Sequence, residues 1–202
     1  MELIGKSSED EMIAEFLKAE YSSERFGNNL SKLLEKHHAS PKLITEPDLE
    51  NKDEIVLRKS LLGEHRGYDK NKELFENFPD DVQWRTALFT ADDLKKVKYI
   101  AYDYWIELSS KSRLATDAVQ NIRAGKVIFN QSNERFLTVA EAIKKGSQFP
   151  RLIFLACDEK SPVVVLEGHV RLTAYMLVPE FIPKTLEVII GYSANMKKWD
   201  LY

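Results

Sequence analysis

The residues most able to do chemistry lie between Val163 and Tyr175, in the run VVVLEGHVRLTAY. An apolar, β-branched stretch meets a glycine and passes at once into a helical pattern. Glu167, Gly168, His169 and Arg171 fall on the joint. Backbone N–H groups at a helix start are unpaired and point outward, so such a joint is a natural anion pocket. Arg171 in the first turn adds a planar, permanently charged fork that suits phosphate. Thr173 lies one turn beyond His169 and Tyr175 one turn beyond Arg171. Glu167 beside a phosphate would act as a general base on an acceptor hydroxyl, or hold a magnesium ion that accompanies a nucleotide. The same spacing admits a plainer outcome. Glu167 and Arg171 are four apart and could form a structural ion pair, and His169 could bond a neighbouring carbonyl.

A second candidate is Ser109 to Arg113, SSKSR, just before another helical pattern. Lys111, Ser112 and Arg113 would hold a second phosphate group, or simply cap a helix in a solvated loop. Gly63-Glu64-His65-Arg66 carries similar residue types, but no strand leads into it and it reads as a turn. His37 and His38 are adjacent and share no helix face, so they make no metal site. Trp84, Trp105 and Trp199 read as packing residues. The P-loop, the GxSxG elbow, the HExxH pair and paired cysteines are all missing.

These residues must be positioned by a chain of 202 residues, enough for one domain with a helical annex. Its 44% hydrophobic and 30% charged residues are ordinary for a globular protein. The net charge of −3 argues against broad nucleic-acid binding, although a local basic pocket could still take a nucleotide. The lone Cys157 permits no internal disulfide and reads as a small buried hydrophobe. The first residues do not resemble a signal peptide, and Leu152 to Cys157 is too short to cross a bilayer. A cytoplasmic protein without membrane contact is expected.

Along the chain, Ser8 and Glu11 form a capping-box pattern ahead of a helix through Tyr21. Leu30, Leu33 and Leu34 mark a second helix, and Ile55 to Leu62 a third. Thr90 and Asp93 form another capping box. Leu94, Val97, Ile100, Ala101, Tyr104, Trp105 and Leu108 then predict one long amphipathic helix. Further helices are expected over 112–124, ended by Gly125, and from Thr138 to Gly146. Val127 to Phe129 suggests a short strand. Leu152 to Ala156, Val163 to Leu166 and Glu187 to Gly191 predict strands. The expectation is a mainly helical region over 1–90 and an α/β (α+β) domain over 91–202, either separate or packed as one unit.

Residues Leu137 to Leu177 resemble the ParB/sulfiredoxin-like superfamily. AEAIKKGSQFPRLIFLA, from Ala140 to Ala156, follows its pattern of a short helix leading through glycine and proline into a strand. LEGHVRLTAY, from Leu166 to Tyr175, follows its second strand and Gly-x-x-Arg box. Gly168 matches the box glycine and Arg171 the box arginine. His169 stands where partitioning proteins have glutamate and sulfiredoxins their catalytic cysteine. The Asp-Gly-His-x-Arg form found in relatives that include free-serine kinases is nearer, with Glu167 in place of aspartate. The resemblance implies a small mixed sheet with helices. It also implies that Gly168, His169 and Arg171 bind the phosphates of a nucleotide or other small phosphorylated ligand, with phosphoryl transfer or nucleotide hydrolysis as the reaction. The competing expectation is a non-enzymatic adaptor or regulatory module, with nucleic acid as one associated partner, that binds through its helical front half.

Overall fold

The computed structural model describes residues 1–202. In chain order the elements are β1 (Glu2–Lys6), α1 (Glu9–Tyr21), α2 (Gly27–Lys36), α3 (Lys42–Thr45) and α4 (Lys52–Arg66). Next come β2 (Gln83–Phe89), α5 (Ala91–Leu94), α6 (Asp103–Leu108), α7 (Ala115–Arg123) and α8 (Glu134–Lys144). The chain finishes with β3 (Leu152–Ala156), β4 (Val164–Glu167), α9 (His169–Leu177) and β5 (Leu186–Tyr192). The five strands make one mixed sheet in the order β1-β2-β5-β3-β4. Only β3 and β5 run parallel; the other neighbours are antiparallel. The fold is therefore mixed α/β, with helices packed on the sheet.

The central strands follow from their composition. Every residue of β3 is buried, as are Val188 to Gly191 of β5. Continuous apolar runs of this kind suit strands covered on both faces. One cluster of 50 buried residues runs from Met12 in α1 to Trp199 near the end of the chain. It includes Phe16, Leu30 and Leu61 from the front half together with Phe154 and Ile190 from the back. β1 and β2 belong to the first ninety residues yet pair into the common sheet. The two halves thus share sheet and core.

Several expected elements differ. Leu94 to Leu108 is not one helix. It is α5, an extended segment and α6. Lys98 N donates to Val163 O at 2.8 Å and Val165 N donates to Lys98 O at 2.8 Å, so the chain bridges to β4 instead of coiling. Tyr99 N donates to Arg113 O at 2.7 Å. Apart from half-buried Ala101, the periodic apolar residues remain buried, by a different backbone route. Residues 127–129 form no strand; Ile128 alone bridges to Gln131. α8 starts at Glu134, so Thr138 lies inside it. Gly63 to Arg66 is the last turn of α4, closed by Gly67 in the left-handed region, and not a free turn. The Thr90–Asp93 capping box is present. No helix is long and apolar enough to cross a membrane.

Candidate functional site

β4 ends at Glu167 and α9 begins at His169, with Gly168 between them at φ +105°. That φ is accessible to glycine at little cost and to few other residues. A Cβ here would also collide with the Leu152 side chain and crowd the Arg171 guanidinium. The amides of His169, Val170 and Arg171 have no intrahelical partner; the first helical bond is Leu172 N to Gly168 O at 2.8 Å. The strand–glycine–helix joint expected from the sequence is thus in place.

Arg171 is used differently from the expectation. Its Nη2 bonds the Glu167 carboxylate, and its Nη1 bonds Pro150 O and reaches Arg151 O at 3.4 Å. The guanidinium therefore clasps the entry of β3 to the end of β4 and is not turned toward a ligand. The structural ion pair allowed by the spacing is the one formed. Burial pushes the Glu167 carboxyl up to about 7; Arg171 pulls it down and the neighbouring Glu20 pushes it further up.

Three other expectations are corrected. Thr173 is fully buried, donating to His169 O at 2.7 Å and sharing a 2.5 Å hydrogen bond with Tyr99 OH. It cannot reach a ligand. Arg113 directs Nε to Tyr99 O at 2.7 Å, Nη1 to Tyr202 O at 2.8 Å and Nη2 to Leu201 O at 3.2 Å. Ser112 donates to Ser109 O at 2.9 Å. Lys111 is exposed. The SSKSR segment therefore fastens the end of the chain and presents no second phosphate fork.

His169 is the box residue with an open function. Its ring stacks on Trp105 at 4.9 Å and 19°, and lies 6.1 Å from Tyr99 at 16°. Nε2 is shielded from solvent and has no hydrogen-bond partner. Burial pushes the imidazole down to about 3, helped by Arg66, Arg171 and Arg135, so the ring is neutral at ordinary pH.

Around it stand groups that local motifs did not reveal. The Arg135 guanidinium lies over the Tyr104, Trp105 and Phe136 rings at 4.9, 5.8 and 4.9 Å, and its Nε is unpaired. Tyr104 is 4% exposed with its hydroxyl unpaired. The Arg66 guanidinium lies 4.8 Å from the Phe26 ring, and its Nε stands 3.6 Å from Glu20 Oε1, too far for a hydrogen bond. Glu20 is itself buried, 2.5 Å from His65 Nε2 but not aligned to bond it. Each buried polar atom left unsatisfied costs about 1–3 kcal/mol. Of these groups Arg66 is ion-paired with Glu20, and the unpaired atoms on Arg135, Tyr104 and His169 are shielded from solvent, so they would meet the oxygens of an anion only if their neighbours moved apart. Arg66 belongs to the Gly63–Arg66 run, whose residue types were the signal; Arg135 and Tyr104 carry none in sequence.

Two clefts, of about 390 and 1260 Å³, lie elsewhere and do not border the box. No group of three or more His, Cys, Asp or Glu side chains is spaced to hold a metal ion. Compared with known proteins, the chain matches no family model, no curated protein and no solved structure.

Proposed function

We propose that the protein binds a small phosphorylated ligand, with a nucleotide phosphate as the leading case, at the start of α9. Arg66 and Arg135 supply the charge. His169, in the tautomer that carries its proton on Nε2, and the Tyr104 hydroxyl donate hydrogen bonds, and the free amides of the helix start complete the cradle. Arg171 is a positioning residue that holds Gly168 and Glu167 in place. The observation that carries this reading is the set of buried polar atoms without a hydrogen bond on Tyr104, Arg135 and His169, with the Arg66 charge, paired to Glu20, also felt at His169. A ParB/sulfiredoxin-like relationship would place a phosphate at the same joint and forms part of the proposal.

The arrangement favours binding over turnover. Glu167 is the one box carboxylate suited to take a proton near neutral pH, and it is tied to Arg171. A magnesium ion accompanying a nucleotide would compete with Arg171 for that carboxylate. Burial of most apolar residues of α1, α2 and α4 in the common core gives the adaptor alternative less surface in the front half, although Val56 stays exposed.

Calorimetry with inorganic phosphate and with ATP, each with and without magnesium, tests the reading. A charge-assisted contact contributes about 1.5–3 kcal/mol, so Arg66→Ala and Arg135→Ala should each weaken binding by roughly 10- to 150-fold. Binding that is absent in the wild type, or equal in all three proteins, would remove the site.

A further inference from the structure

α6 has a second face. Tyr104 and Trp105 point into the core, whereas Asp103, Ile106 and Glu107 border a pocket of about 390 Å³ closed by Val127, Ile128 and Phe129. Four of the six lining residues are apolar, and the other two are carboxylates. No lysine or arginine lines the pocket, and neither Asp103 nor Glu107 has an ion-pair partner. The two acids are one turn apart on one helix, where like charges weaken the helix. Asp103 opens the helix, where an acid suits the dipole, but Glu107 one turn on has no partner within the fold, and a cation arriving from outside would offset the pair.

The rim adds a second indication. Phe129 is 60% exposed and held at φ +48°, with Asn130 at +57° beside it. Val127 is 55% exposed. A bulky residue in the left-handed region is strained. Here that conformation holds an aromatic ring at the mouth of an apolar hollow.

We propose that this pocket docks a segment of a partner protein that presents an apolar side chain flanked by lysine or arginine. The hollow accepts the apolar anchor, as such pockets do at interface centres. Asp103 and Glu107 take the flanking cations and steer the approach. The broad exposed rim fits an extended chain better than a compact organic cation. The site is independent of the phosphate cradle and can stand or fall without it.

Fluorescence anisotropy with the labelled peptide Lys-Lys-Leu-Phe-Lys-Lys, against Glu-Glu-Leu-Phe-Glu-Glu, tests the proposal on the full chain. The basic peptide should bind at least about tenfold more tightly than the acidic one. The double variant Asp103→Lys, Glu107→Lys should lose that preference, and Phe129→Ser should weaken binding with the melting temperature unchanged or raised. These positions border solvent, and circular dichroism checks that each variant is folded. Overturning results are no binding at millimolar peptide, equal binding of both peptides, or binding that the variants leave unchanged. Sedimentation velocity provides the remaining arm: self-association that Asp103→Lys abolishes would assign the pocket to a second copy of this chain and overturn the partner proposal.

Discussion

At the scale of single residues, the box is built round a clasp. Gly168 carries a φ that other residues tolerate poorly, and Leu152 fills the space a Cβ would need, with Arg171 crowding it. Gly168→Ala should therefore lower the unfolding free energy by about 1–3 kcal/mol in urea titrations. Glu167 gives a pH signature. Its folded pKa lies near 7, above the ordinary 4.5. Between those values the folded protein keeps a proton that the unfolded chain has shed, so this contribution is full below about 4.5 and is lost as pH rises through 7. Glu167→Gln should gain stability relative to wild type across that window and show a constant difference above it, measured by urea titration at a series of pH values. His169 has the opposite sign: its folded pKa is near 3 against 6.5, so its contribution is full above 6.5 and is lost as pH falls toward 3. The glycine joint and the Glu167–Arg171 spacing were readable in the sequence because both are local. Arg135 was not, and the Gly63–Arg66 run gave residue types without a place, because only the tertiary fold brings the end of α4 and the start of α8 toward His169.

At the scale of elements, the informative case is the missing helix between α5 and α6. The apolar period from Leu94 to Leu108 satisfies a helix, yet Lys98 bonds both Val163 and Val165. Burial of Val97, Tyr99 and Ile100 is achieved either way, so the pattern alone did not distinguish the two backbones. Lys98→Pro should cost about 3 kcal/mol or more, since it removes the donor to Val163 O. Lys98→Ala should change stability by less than about 0.5 kcal/mol, because the backbone bonds persist; thermal melts of the pair check the contrast. β3, β4 and β5 were legible as apolar runs. β1 is exposed along its length, and β2 mixes polar with buried residues, so neither offered a run to read.

At the scale of the whole molecule, one core and one sheet join the helical front to the α/β back. Residues 1–202 should unfold in a single transition, seen alike by circular dichroism and tryptophan fluorescence. Residues 91–202 alone should not give a cooperative melt, because β5 would lose β2 and the core its front wall. The proposed cradle depends on the same union, since Arg66 comes from α4, Tyr104 from α6, Arg135 from α8 and His169 from α9. Its most direct test is the ¹⁵N spectrum of the histidine side chains during titration with inorganic phosphate. The Nε2 resonance of His169 should move saturably as its unpaired donor gains an oxygen, with the ring still neutral at pH 6, and the movement should vanish in Arg135→Ala. A His169 resonance that stays fixed at saturating phosphate would contradict the account.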